Sequence, residues 1–273
     1  MDNRVSGLIT LVTDFGLSEP YAGIMKGVIL SLNPSARIVD ITHQIGPFDI
    51  FGAANVIGSS FSYFPSGTIH MVVVDPTVGC SRRVVAVRAC GHVFLAPDNG
   101  VLSRIVENEK NMSGVWVKNR DWFLHPVSNT FHGRDIFAPV AAYLSMGRDL
   151  ADLGPRLNPK SIFLLPPDLP ERTKSNGLAG RVVGVDSFGN LVTNISADVF
   201  LATFGNVPEK NVVIHLAGHI IKGISKTYGM KAENVPLALF GSAGFLEISV
   251  NLGNAADYFK AGVGSDVVVD AVA

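Results

Sequence analysis

The sequence predicts an α/β protein: an N-terminal, mostly parallel, helix-covered sheet domain and a smaller C-terminal antiparallel domain that is β-barrel-like. Three observations carry this. Apolar β-branched runs alternate with helical periodicity over the first half of the chain, the pattern of a parallel sheet with crossover helices. Composition then changes at Leu164 to Gly177 (LLPPDLPERTKSNG), where three prolines precede charged and small residues. Beyond it, short alternating segments separated by turn residues dominate, as in a small antiparallel barrel or sandwich. The expected domains are 1–168 and 177–273, joined by a linker at 169–176.

In the first domain, Gly7 to Thr13 (GLITLVT) reads as a buried strand ending in Asp14. Tyr21 to Leu32 reads as a helix with Tyr21, Ile24, Val28 and Leu32 on one face, stopped by Asn33-Pro34. Arg37 to Ile41 is the second strand. Phe48, Ala54, Ile57, Phe61 and Phe64 then recur at helical spacing up to Pro65-Ser66-Gly67. The third strand is Met71 to Val74, and Asp75-Pro76 follows it directly. Val84 to Arg88 and His92 to Ala96 form a hairpin around Ala89-Cys90-Gly91. Asp98-Asn99-Gly100 is a turn that opens a short helix, and Val115 to Val117 with Asp121 to Phe123 reads as a weaker strand pair. A helix after Asp135 carries Ile136, Val140 and Leu144 inward. In the second domain, strands are expected at Leu178 to Val185, Leu191 to Ile195, Val212 to Ile221, Pro236 to Phe240, Phe245 to Val250 and Val267 to Val269. A helix from Ala197 to Phe204, N-capped by Ser196, interrupts them.

Bulk properties narrow the function classes. The chain has 273 residues, of which 47% are hydrophobic and 16% charged, and its net charge is −1. Scattered basic residues give no footprint for nucleic acid or a membrane surface. Cys80 and Cys90 have neither metal-site nor disulfide-framework spacing, so reduced thiols in a cytoplasmic protein are expected. No apolar run reaches the roughly 18–20 residues that a membrane span needs.

All three early strands end in polar residues: Asp14, the Thr42-His43 pair, and Asp75. Ligands of open α/β sheets bind outside the carboxyl ends of the strands. Asp75 with Arg82 and Arg83 nearby therefore reads either as an active-site acid with its cations or as a turn acid beside solvated arginines. His132-Gly133 entering a helix places an imidazole beside free backbone N–H groups, or simply caps the helix. Asp186, Phe188 and Asn190 (DSFGN) form a hairpin turn; the same residue types can also bind an ammonium, stack on a flat ring and pair with its edge. Other patterns fail. Asp14-Phe15-Gly16 lacks every accompanying kinase signature, Gly262-Val263-Gly264 opens no helix after a strand, and His215 with His219 has no third metal ligand.

TDFG at Asp14, ITHQIGPFD at Thr42 to Asp49, VVDPTVGCSRR, APDNGVL, FHGRDIFAP, VDSFGNLVTNI and SAGFLEISVNLGNAA run in order over nearly the whole chain. Together they resemble the S-adenosyl-L-methionine (SAM) hydroxide adenosyltransferases, adenosine-forming SAM hydrolases related to the fluorinating and chlorinating SAM enzymes. The resemblance implies a homotrimer with SAM bound at subunit interfaces. It also implies a reaction of SAM with water that gives adenosine and L-methionine, with SAM as substrate and no cofactor. The catalytic positions fall on Asp75, Arg82 and His132. The ribose contact falls on Asp14, an aromatic wall on Phe48, the ammonium contact on Asp186, adenine contacts on Phe188 and Asn190, and a carboxylate contact on Ser242. Ala255 falls among the substrate contacts as well. Thr77 departs from the glycine of the usual DPGVG loop, and threonine resists positive φ.

These residues suit that chemistry. The leaving group, neutral methionine, needs no acid, whereas water is a weak nucleophile that must be held in line with the 5′ carbon and relieved of a proton. A carboxylate can accept from that water while a guanidinium and an imidazole orient it. A halide would meet the carboxylate unfavourably: two unit charges about 4 Å apart at an effective dielectric of 20 repel by roughly 4 kcal/mol. The rival expectations are a halogenase-like substitution and a non-catalytic SAM-binding module.

Overall fold

The computed structural model describes residues 6–107, 109–205 and 207–272. The chain divides into two compact units, Met1–Pro166 and Pro167–Ala273. In the first unit the elements run β1 (Leu8–Thr13), α1 (Tyr21–Leu32), β2 (Arg37–Thr42), α2 (Ile50–Ser60) and β3 (Ile69–Val73). They continue with β4 (Val84–Ala89), β5 (His92–Pro97), α3 (Ser103–Val106), β6 (Ser113–Trp116) and α4 (Ala138–Ser145). The sheet order is β2-β1-β3-β5-β4-β6. β2, β1, β3 and β5 are mutually parallel, and β4 and β6 complete an antiparallel margin.

Alternation along the buried strands assigns each face to its helices. Ile9, Leu11, Met71 and Val73 pack with Met25 and Ile29 of α1 and Val140 and Leu144 of α4. Val12, Val72 and Val74 pack with Ala53 and Ile57 of α2 and Ile105 of α3. Burial on both faces is why β1 and β3 read as unbroken apolar runs. Asp75 follows with the parity of Met71 and Val73, toward the α1–α4 side. The β4–β5 hairpin turns on Cys90 (φ 50°) and Gly91 (φ 78°), a pair of left-handed residues that matches strand twist.

Three expectations are corrected. The buried residues of α1 are Ala22, Met25 and Ile29, with Val28 and Leu32 packed half-buried against the same core as expected, while Tyr21 and Ile24 are 43% and 39% exposed. A 12-residue helix with apolar residues most of the way round has no unique stripe for periodicity to find. In α2 only Ala53, Ala54 and Ile57 are buried; Phe48 precedes the helix, 67% exposed. Asp121 to Phe123 is no strand: Arg120–Trp122 is a 3-10 turn capped by Asn119, and β6 pairs with β4 instead.

The second unit contains β7 (Glu171–Arg172), β8 (Leu178–Val185), β9 (Leu191–Ser196), α5 (Ala197–Phe204), β10 (Val212–Leu216) and β11 (His219–Lys222). β12 (Pro236–Phe240), β13 (Phe245–Val250), α6 (Ala255–Phe259) and β14 (Asp266–Ala271) complete it. The order β11-β10-β14-β8-β9-β13-β12 is antiparallel throughout and nearly closed, with β11 approaching β12. Its interior holds Val182, Ile195, Ile214, Ile248 and Val267. Ser196 caps α5 by accepting from the Val199 N–H at 3.2 Å. The segment expected as a linker contributes β7, which pairs with β8. Ala217-Gly218 turns the chain between β10 and β11, and no metal-binding cluster of His, Cys, Asp or Glu occurs among the described residues. Among those residues, no helix is long and apolar enough to cross a membrane.

Candidate active site

Asp75 lies two residues beyond β3, at the carboxyl edge of the parallel strands. The loop to β4 closes through Val78 N–H to the Asp75 carbonyl at 3.3 Å and Cys80 N–H to the Thr77 carbonyl at 3.1 Å. The left-handed position in this loop is Gly79 (φ 79°), not Thr77, so threonine is accommodated without strain. Arg82, at the far end of the loop, returns to Asp75: its Nε donates to Oδ2 at 2.7 Å, and its Nη2 donates to the same oxygen. The two side chains are 9% and 5% exposed.

His132 arrives from the opposite direction. A π-helical turn, Gly133–Phe137, precedes α4, and Ile136 and Phe137 pack in the same cluster as Val73. Gly133 permits this approach, because a Cβ there would lie 2.7 Å from Met25 Sδ and 3.2 Å from Phe131. Asp135, fully buried, accepts from the Ser128 N–H at 2.8 Å and pairs with Arg134, which fixes the preceding loop. Arg82 Nη2 then meets His132 Nδ1 at 2.9 Å.

A guanidinium can only donate, so Nδ1 is the acceptor and the imidazole proton resides on Nε2. Burial first, and the Arg82 charge second, hold the His132 pKa below its ordinary 6.5. Near neutral pH the cluster is a carboxylate, a guanidinium and a neutral imidazole. Asp75 Oδ2 is occupied by Arg82; among the described residues, the partner of Oδ1 is the Thr77 hydroxyl, at 3.4 Å.

Asp75 and His132 line a cavity of about 290 Å³, with Asp14, Phe15, Tyr21, Pro47, Phe48, Val73, Val78, Thr130, Phe131 and Gly133. Arg82 bonds both Asp75 and His132 and is not itself among the residues that line the cavity. Phe15, Tyr21 and Phe131 meet edge to face with centroids 5.1–6.0 Å apart, forming one aromatic wall. Asp14 Oδ2 accepts from the Phe48 N–H at 3.0 Å, which ties the Phe48 backbone (φ 64°) to the end of β1. The first unit thus brings together Asp14, Phe48, Asp75, Arg82 and His132.

In the second unit, Asp186 closes its turn by accepting from the N–H groups of Phe188 and Asn190, both at 2.9 Å, and from Asn190 Nδ2 at 2.8 Å. Phe188 is left 76% exposed. Ala255, the first residue of α6, is fully buried, and the Ala256 N–H bonds the Gly189 carbonyl at 2.9 Å, seating the helix against this turn. Asp186, Phe188, Asn190 and Ala255 are therefore neighbours. Ser242 is not among them: the β12–β13 turn lies beyond the Ser196 end of β9, and the Asp186 turn adjoins its Leu191 end.

A family model described as the SAM hydroxide adenosyltransferase N-terminal domain matches residues 9–154, and the C-terminal domain model of the same family matches 180–268. The chain belongs to the SAM hydroxide adenosyltransferase family. A relative from Salinispora tropica named (R)-S-adenosyl-L-methionine hydrolase is 36% identical, covering 91% of this chain and 92% of its own. A fluorinase from Nocardia brasiliensis is 25% identical over 96% of this chain and 97% of its own. A solved structure of an uncharacterised conserved protein from Thermotoga maritima superposes with a TM-score of 0.88 at 38% identity, covering 96% and 99% of the two chains.

For this SAM hydroxide adenosyltransferase family member, sequence reasoning missed the aromatic wall. Phe15 and Phe131 adjoin Asp14 and His132 directly, and that adjacency was the available signal. Tyr21 was hidden by helical periodicity, which assigned it to the core.

Proposed function

We propose that this protein hydrolyses SAM to adenosine and L-methionine. The observation that carries the reading is the Arg82-centred cluster, which places a carboxylate and a neutral imidazole on the lining of a cavity walled by aromatic rings. One water, held between Asp75 Oδ1 and His132 Nε2–H, attacks the 5′ carbon of SAM. The O–C5′ bond forms as the C5′–S bond breaks, its electron pair returning to sulfur to leave neutral methionine. The water's proton passes to Asp75 and then to solvent. His132 serves as donor, because its other nitrogen is occupied by Arg82 and its pKa is depressed.

Asp14 receives the ribose hydroxyls and Phe48 walls the adenosyl group. Asp186 receives the ammonium, with Phe188 and Asn190 on adenine and Ala255 beside them. The carboxylate contact expected at Ser242 is not made by the chain whose Asp186 holds the ammonium, because both groups sit on one carbon of methionine and Ser242 lies at the other end of β9. The reaction needs no cofactor or metal. The protein acts in the cytoplasm as a homotrimer with SAM at subunit interfaces, an assembly that sedimentation would read directly.

Fluorinases are relatives too, and the cavity lining argues against halide chemistry here. The Asp75 carboxylate is on the cavity lining, and the Arg82 guanidinium is engaged by it and by His132. Incubation with SAM in chloride buffer separates the readings. Adenosine and methionine in equal amounts support hydrolysis, 5′-chloroadenosine overturns it, and tight binding without turnover indicates a SAM-binding module.

A further inference from the structure

The Asp98-Asn99 dipeptide and Arg83 lie outside the cavity, yet they hold both ends of the loop that carries Asp75 and Arg82. Asn99 Nδ2 donates to the Val74 carbonyl at 2.9 Å, one residue before Asp75. The Asn99 Oδ1 accepts from the Val101 N–H at 3.2 Å, so its amide orientation is set by its own turn. Asp98 takes the other end. Its N–H donates to the Arg83 carbonyl at 2.9 Å, one residue after Arg82. Its Oδ2 accepts from Arg83 Nε at 2.8 Å and from Nη2, and its Oδ1 accepts from the Phe163 N–H at 2.9 Å. The Asp98 side chain is 4% exposed.

We propose that Asp98 and Asn99 are positioning residues that set the Asp75–Arg82 geometry by clamping the two ends of the loop between β3 and β4. The clamp is possible because β5 lies beside both neighbours: it is parallel to β3 and antiparallel to β4, so its end meets the exit of one and the entry of the other. Two adjacent side chains at the end of β5 therefore reach residues 74 and 83, which directly flank the ion pair. This also accounts for the paired arginines. Arg82 faces the reacting centre, and Arg83 is the handle by which its backbone is held, with Ser161 Oγ at 3.3 Å from Nη1 as a further anchor. A carboxylate and guanidinium displaced by a fraction of an ångström lose alignment on an in-line water, a loss that reaches about a hundredfold for a 1 Å error.

The proposal rests on the hydrolytic reading for its kinetic arm and has a second arm that does not. Asn99→Ala and Asp98→Asn are compared with the unaltered protein for kcat and KM toward SAM, and for the Arg82 Nε–H resonance in ¹⁵N NMR. The expected result is kcat lowered about tenfold or more with KM within about twofold, together with a shifted, faster-exchanging Arg82 resonance in a protein of unchanged circular dichroism. An unmoved Arg82 resonance overturns the clamp. So does a kcat loss matched by the loss of folded signal in both variants, which would mark the turn as merely structural. If the unaltered protein turns over no SAM, the hydrolytic reading fails while the resonance still tests the clamp.

Discussion

Nη2 of Arg82 carries two protons, and Asp75 and His132 receive one each. That sharing decides what His132 can do. With Nδ1 occupied and its pKa lowered by burial and by Arg82, the ring is neutral at pH 7 and donates from Nε2. Acidification through the depressed pKa, which lies below 6.5, would add the proton to Nδ1, facing the guanidinium, and break the contact. Turnover is therefore expected to fall as pH drops through that window and to stay level above 6.5 as far as His132 is concerned. The same sign holds for stability, since the unfolded chain takes up this proton at higher pH than the folded one. A pH profile of kcat that rises on acidification below 6.5 would contradict the assignment of His132 as a neutral donor. At Asp75, exchange of the carboxylate for an amide removes the proton acceptor while keeping the shape. Asp75→Asn should lower kcat by about 10²–10⁴ with SAM binding retained by calorimetry.

The loop between β3 and β4 is the element on which the site depends, and its tightest point is Gly79. At φ 79° an L side chain is strained, and a Cβ there would lie 2.3 Å from the Asn129 backbone carbonyl. Gly79→Ala should cost on the order of 1–3 kcal/mol in chemical denaturation and lower kcat, because Asn129 lies on the segment leading to His132. A loss of stability under about 0.5 kcal/mol would contradict this packing. Much of the loop's structure is legible in sequence, as the apolar run of β3 and the acid beyond its end show, whereas position alone leaves Asp75 and Arg82 open between a site and a turn acid beside solvated arginines. What Asp98 and Asn99 do was not legible, since it depends on β5 lying between β3 and β4, a pairing that local sequence does not encode. The face of α1 was misjudged for a related reason. Apolar residues most of the way round the helix leave the choice of inward face to the sheet and α4, so Tyr21 turned from the core to the cavity wall. In the second unit, turn chemistry at Asp186 and the cap at Ser196 are local, and both were placed correctly.

At the scale of the molecule, one end of the first sheet carries polar chemistry and the other is tied down by buried histidines. Thr10 Oγ1 meets His70 Nδ1 at 2.7 Å, and His70 Nε2 meets His92 Nδ1 at 3.2 Å, among the rings of Phe61, Phe64 and Phe94. Burial pushes the His70 pKa down to about 3 and lowers that of His92. His70 is thus neutral when folded over a range in which it is protonated in the unfolded chain, and the His92 shift has the same sign. Stability should fall as pH drops from 6.5 toward about 3, by on the order of 2–3 kcal/mol for His70 alone down to about pH 4.5, where most carboxylates remain charged. Urea denaturation at pH 7 and about pH 4.5 reads this directly, and equal free energies would contradict it. Fold, family and the grouping of Asp75, Arg82 and His132 all agree with a water-using SAM enzyme, and the nucleophile itself is the point to measure. Turnover of SAM in ¹⁸O-labelled water, followed by mass spectrometry of the nucleoside, tests it most directly. One ¹⁸O on the 5′ carbon of adenosine is predicted; unlabelled adenosine, or a 5′-halogenated nucleoside in its place, would contradict it.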